Sequence, residues 1–135
     1  MFLLDTNVVS ELRKGPDSQV AVWAVSVPSH LMFLSVITVM ELETGILRVR
    51  RKDTKQATIL SEWFEKRVLP TFAGRVLPVD LAVARRCAAL HVPDPRSYRD
   101  AFIAATAMES GLTVVTRNIV DFKPTGVAVL NPWER

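Results

Sequence analysis

Arg99-Asp100-Ala101-Phe102-Ile103-Ala104-Ala105-Thr106-Ala107 is a run of small, strongly helix-forming residues with one carboxylate near its start. Ser97 precedes it as an N-cap, and Ser110-Gly111 supplies a C-terminal stop. The next five residues, Leu112-Thr113-Val114-Val115-Thr116, are apolar and β-branched and read as a strand. A capped helix that leads at once into a buried strand is one unit of an α/β fold. The same alternation recurs outward from it.

Near the start, Phe2-Leu3-Leu4 is a continuous apolar run of the kind buried on both faces of a parallel sheet. Asp5-Thr6-Asn7 ends it with cap-forming residues, and Val8 to Lys14 reads as a short helix stopped by Gly15-Pro16. Asp17-Ser18 caps a second helix over roughly 18–26, with Val20, Trp23 and Val27 at helical spacing. Leu31 to Val36 is a second strand, and the chain passes through Thr38-Val39-Met40-Glu41 into a helix reaching about Lys52. A further amphipathic helix near 55–68 carries Ile59, Leu60, Trp63 and Phe64. Pro70 and Gly74 bracket a predicted loop. Arg75 to Val79 follows as a short strand, which Pro78 places at a sheet edge. Asp80 caps a helix over about 81–91, expected to turn Val83, Ala84, Cys87 and Leu90 inward. Asn118 to Asp121 reads as a turn or a single helical turn, and Val127 to Leu130 as the last strand. The expectation is a single domain over residues 1–135, a three-layer α/β/α sandwich around a mostly parallel sheet.

Composition narrows the function classes. The 135 residues are 49% hydrophobic, which fits one globular core and excludes a disordered chain. A net charge of +3 suits a polyanionic partner without requiring one. One cysteine and two histidines allow no intrachain disulfide and no Cys/His structural zinc set. His30 and His91 lack a context that would activate a nucleophile, which disfavours serine or cysteine hydrolase chemistry. No basic leader or long apolar stretch is visible, so a soluble cytoplasmic protein without a membrane segment is expected.

Four acids stand at comparable places. Asp5 follows the first strand, Glu41 lies shortly after the second, Asp121 follows the Leu112–Thr116 strand, and Asp100 opens the helix before it. Parallel sheets build sites at the carboxyl ends of their strands, so these carboxylates can meet. Each also has a plain structural reading. Asp5 can cap a helix, Thr38-Val39-Met40-Glu41 and Ser97-Tyr98-Arg99-Asp100 both have capping-box form, and Asp121 suits a turn. Asp100 differs in sharing a helix face with Ile103, Ala104 and Ala107, and a carboxylate on an apolar face needs a partner. Mg²⁺ would relieve the repulsion among clustered acids and support phosphodiester hydrolysis. Two other readings compete. One is phosphoryl transfer through an Asp5 nucleophile, weakened by the absence of a second Asp two residues on; the other is a non-catalytic RNA- or protein-binding module.

The chain resembles PIN-domain proteins, and among them the VapC/FitB-type toxins of bacterial toxin–antitoxin pairs. The matching stretches are Asp5 to Glu11, Ser35 to Gly45, Arg99 to Ala107, and Val114 to Asn118 with Asp121-Phe122, joined by Asn131-Pro132-Trp133. Residues from about Ile46 to Arg75 carry no such motif. The resemblance implies an endoribonuclease dependent on Mg²⁺ or Mn²⁺, with Asp5, Glu41, Asp100 and Asp121 as catalytic and metal-binding acids. It implies polar support from Thr6, Asn7, Thr116 and Asn118, while Arg96, Arg99 and Arg117 flank the expected site as RNA-binding candidates. It further implies a homodimer and a cognate antitoxin bound in a groove near the site.

Overall fold

The computed structural model describes residues 1–134. Five strands form one sheet: β1 (Phe2–Leu4), β2 (Met32–Ser35), β3 (Val76–Leu77), β4 (Thr113–Val115) and β5 (Val129–Leu130), in the order β3-β2-β1-β4-β5. Every pairing is parallel, with Leu3 opposite Phe33 on one side and Val114 on the other. The order reverses direction at β1, which creates a topological switch point between β1 and β4. Asp5 and Thr116 directly follow those two strands.

Alternating side chains divide the core into layers. Leu4, Met32, Leu34 and Val115 face one side, packed by α1 (Thr6–Leu12), α2 (Gln19–Val25), α3 (Val36–Arg50) and α4 (Thr54–Trp63). Leu3 and Val114 face the other, packed by Ile103, Ala104 and Ala107. Those three lie on a helix whose label follows two others in chain order: α5 (Leu69–Thr71), α6 (Leu81–Leu90) and then α7 (Tyr98–Ser110). The opposite face of α7, Ala101 and Ala105, packs on Val83 and Cys87 of α6. Small residues on both faces let α7 sit closely between the sheet and α6. A short helix, α8 (Ile119–Phe122), anchors Phe122, which is fully buried, on the same side. The three-layer α/β/α sandwich is therefore as expected, and its sheet is wholly parallel.

Several local expectations change. The helix read over 55–68 is α4 followed by a π turn over Phe64–Val68. Pro70 lies inside the helical turn α5, which continues directly from the π turn, so the loop predicted from Pro70 begins later. Ala84 and Ile59 are exposed, because α6 and α4 each bury a narrower stripe than their apolar content suggests. Gly111 adopts φ 66° and ends α7 in the left-handed conformation that glycine favours.

Candidate active site at the sheet switch point

Asp5 leaves β1 in extended backbone and caps α1, its Oδ1 accepting from the Thr6 amide at 2.8 Å. The plain cap reading is thus true, and it is incomplete. Asp5 is fully buried, and the capping bond uses only part of its acceptor capacity. Oδ2 accepts from Thr116 Oγ1 at 2.8 Å and from Asn7 Nδ2 at 3.4 Å. Oδ1 also accepts from the guanidinium of Arg99. Burial of a carboxylate is tolerated only with such a complement of donors.

Glu41 does not close a capping box. Ser35 caps α3, accepting from the Ile37 amide at 3.0 Å, and Thr38 is buried inside the helix with no partner for its hydroxyl among the described residues. The Glu41 carboxylate turns toward the sheet instead. Its Oε1 accepts from Thr6 Oγ1 at 2.6 Å and its Oε2 from Arg99 Nε. Ser97 does cap α7, accepting from the Asp100 amide at 3.2 Å, while the Asp100 carboxylate accepts from Arg99 Nη1. Three carboxylates from β1, α3 and α7 therefore meet on one guanidinium.

The electrostatics follow from this crowding. Burial pushes the Asp100 carboxyl above its ordinary value; the charge and hydrogen bond of Arg99 pull it back, and the negative charges of Asp5 and Asp121 add to the rise. Burial by itself would lower the Arg99 value, but Asp5 and Glu41 more than offset it and hold the guanidinium charged. Asp121 is exposed on α8 and makes no ion pair or side-chain hydrogen bond among the described residues; it reaches the cluster through its charge.

The supporting residues divide by role. Thr116 donates to Asp5 and accepts from the Asn118 amide at 2.9 Å, so Asn118 contributes through its backbone. Asn7 Oδ1 accepts from the Arg117 amide at 3.3 Å, which ties α1 to the loop after β4. The Arg117 guanidinium stacks on Trp133, 5.2 Å from the ring centroid. Arg96 uses its guanidinium on the carbonyls of Leu90 and Pro124, at 2.9 and 3.2 Å, and so braces the loop before α7. Sequence reasoning placed Arg99 beside the site as an RNA contact; its position as the common partner of three acids was missed, since nothing local in the sequence encodes it.

The donor set tests what the site can hold. Among the described residues no group of three or more His, Cys, Asp or Glu is arranged to hold a metal ion, and Arg99 lies between the acids. The donors are nevertheless all carboxylate oxygens already gathered around one positive charge, the chemistry that a hard divalent cation requires. They fit. Asp5, by contrast, has both oxygens engaged and no exposure, which leaves it poorly placed as a nucleophile.

Beside the acids runs a groove. A recess of about 350 Å³ lined by Thr6, Arg13, Glu41, Ile46 and Trp63 adjoins an open hollow of about 470 Å³ lined by Leu12, Ala24, Val25 and Arg67. Arg13 and Trp63 belong to both. Trp23 and Phe64, by contrast, are core residues. No helix among the described residues is long and apolar enough to cross a membrane.

Residues 2–124 match the PIN domain family. Toxin FitB of Neisseria gonorrhoeae is 42% identical, covering 98% of this chain and 99% of its own length. VapC ribonuclease Y4jK of Sinorhizobium fredii is 41% identical over 99% of each chain. The crystal structure of FitAcB from Neisseria gonorrhoeae superposes with a TM-score of 0.90 at 40% identity, covering 100% of both chains. A toxin–antitoxin complex from Klebsiella pneumoniae superposes with a TM-score of 0.73 at 27% identity, again over 100% of both chains.

Proposed function

This chain belongs to the PIN-domain family, and we propose that it is the endoribonuclease toxin of a type II toxin–antitoxin pair, acting in the cytoplasm on RNA with Mg²⁺ or Mn²⁺. The observation that carries this reading is the convergence of Asp5, Glu41 and Asp100, from three separate elements, at the β1/β4 switch point. These three acids would hold the cation, with Asp121 at the rim as a fourth candidate. A divalent cation there supplies Lewis acidity toward a phosphodiester oxygen and makes a nearby water easier to deprotonate.

The chain's own residues prepare that chemistry. Thr116 and the Thr6 amide fix the two oxygens of Asp5, and the Thr6 hydroxyl fixes Glu41, so the acids are oriented before any ligand arrives. Exposed Arg117, in the loop after β4, would attract the phosphate backbone.

The relatives' toxin–antitoxin names supply the partner. An antitoxin segment in the groove past Trp63 would reach Glu41 and cover the site. Arg13 and Arg67 on the groove walls suit a segment that carries carboxylates between apolar side chains. Homodimer formation is part of the same reading.

The test is cleavage of total cellular RNA by the purified protein with Mg²⁺ or Mn²⁺, with EDTA, and with the Asp100→Asn variant. Metal-dependent cleavage that EDTA and the substitution both abolish is expected. Cleavage that persists in folded Asp100→Asn overturns the assignment, and RNA binding without cleavage in either metal supports a binding module instead.

A further inference from the structure

Arg99 is an unusual neighbour for metal-binding acids. Its Nε, Nη1 and Nη2 each donate to a different carboxylate: Glu41, Asp100 and Asp5 respectively. All three nitrogens of the guanidinium thus donate into the cluster that the proposed function gives to a divalent cation. Three carboxylates with one guanidinium leave a formal charge of −2 (3 − 1 = 2 negative charges in excess), so the arginine offsets only part of the repulsion. A divalent cation among the same acids would offset more.

Arg99 is also free to leave. Its side chain is 29% exposed, it sits in the first turn of α7, and no acceptor outside the three acids holds it among the described residues. Asp5, by contrast, is fully buried and has donors from Thr6, Asn7 and Thr116 that remain when the arginine moves. Swinging a long, partly exposed side chain outward does not disturb the core packing of Ile103 and Ala104.

We propose that Arg99 is the built-in counter-ion of the metal-free site, competing with the divalent cation for Asp5, Glu41 and Asp100 and turning out of the cluster when metal binds. The inference rests on the metal-dependent reading of the site. Its consequence is a shift of metal binding to higher concentration. The acids stay paired and the fold stays quiet without metal, and the apparent affinity for metal is reduced by the fraction of time that Arg99 occupies the cluster.

The experiment titrates Mn²⁺ calorimetrically into EDTA-stripped wild type, Arg99→Met and Asp100→Asn, with thermal melts of each in EDTA and in Mn²⁺. Arg99→Met keeps the stem and removes the charge. It is expected to bind Mn²⁺ about tenfold tighter than wild type, the gain from removing a competitor that leaves the site open about a tenth of the time. It should melt lower than wild type in EDTA and gain more from Mn²⁺. Equal or weaker Mn²⁺ binding by Arg99→Met makes Arg99 a structural brace and overturns the proposal while the metal site stands. No Mn²⁺ binding by wild type or Arg99→Met, or unchanged binding by Asp100→Asn, overturns the metal site itself and the proposal with it. Should Arg99→Met fail to fold, the wild-type protein decides by nuclear magnetic resonance. The Arg99 Nε–H signal should be protected from solvent exchange in EDTA and lose that protection in saturating Mg²⁺. Retained protection with Mg²⁺ bound, seen from the Asp5 and Asp100 amide shifts, overturns the proposal.

Discussion

Thr116 Oγ1 donates to Asp5 Oδ2 at 2.8 Å, joining residues that are 111 positions apart and both fully buried. The bond crosses the switch point between β1 and β4 and fixes the innermost acid of the site. Thr116→Val keeps the shape and removes both the donor to Asp5 and the acceptor for the Asn118 amide, leaving a buried carboxylate oxygen with only a weak amide contact from Asn7 at 3.4 Å. A loss of about 2 kcal/mol in urea unfolding is expected. RNA cleavage should fall by about tenfold or more, as it does when an outer-shell partner of a metal ligand is removed. Thr116→Ser should recover most of both, and a Val variant with unchanged activity would show that Asp5 needs no orienting.

Asp121 offers a cleaner separation of charge from structure. It is exposed and unpartnered among the described residues, yet its charge raises the Asp100 carboxyl. Asp121→Asn should leave stability within about 0.5 kcal/mol of wild type. Calorimetry should show weaker Mn²⁺ binding than wild type and stronger binding than Asp100→Asn. Equality with wild type would remove Asp121 from the site, and equality with Asp100→Asn would make it a full ligand.

These residues also show what a sequence can carry. The order of strands and helices was legible because apolar runs and caps are local signals, and the Asp100 face was legible because Ile103, Ala104 and Ala107 follow at helical spacing. Glu41 was ambiguous because Thr38-Val39-Met40-Glu41 has capping-box form, and only the start of α3 at Val36, capped by Ser35, removes that reading. Arg99 could be placed near the acids but not among them, since a flexible side chain chooses its partners by tertiary position. Pro70 misled because the π turn before it carries helical backbone on to Thr71, and a π turn leaves no local signal in the sequence.

Arg75 was read only as the start of an edge strand, and it proves to be a clamp. Its guanidinium donates to the carbonyls of Ser29, Met32 and Thr71, the Met32 bond measuring 2.6 Å, and stacks on Phe72 at 5.3 Å. It thereby ties the turn before β2 to α5. Arg75→Ala should cost about 1 kcal/mol, because the part-buried Met32 carbonyl loses a charged donor while water can replace it at the exposed carbonyls of Ser29 and Thr71. Arg75→Lys should recover only part, lacking the planar fork. Cleavage per folded molecule should not change, since the clamp lies away from the acids; a specific loss of activity would place Arg75 in the site after all.

Cys87 gives a pH signature independent of the active site. It is 3% exposed between α6 and α7, and burial pushes its thiol above the ordinary value. The folded protein therefore keeps the thiol neutral at pH values where the unfolded chain, titrating near about 8.5, releases its proton. The sign follows from linkage. The unfolded state binds fewer protons in that window, so this contribution to stability is intact below about pH 8.5 and falls as pH rises toward the folded value. Cys87→Ala should cost about 1 kcal/mol at pH 7 by removing packed volume. It should also lack the alkaline loss, so the gap between the two proteins narrows by pH 9.5 in urea titrations. Labelling agrees with the same physics: a thiol reagent at pH 8 should react with wild type only as fast as the protein opens, and rapid labelling of the folded state would show that Cys87 is not the sealed core residue described here.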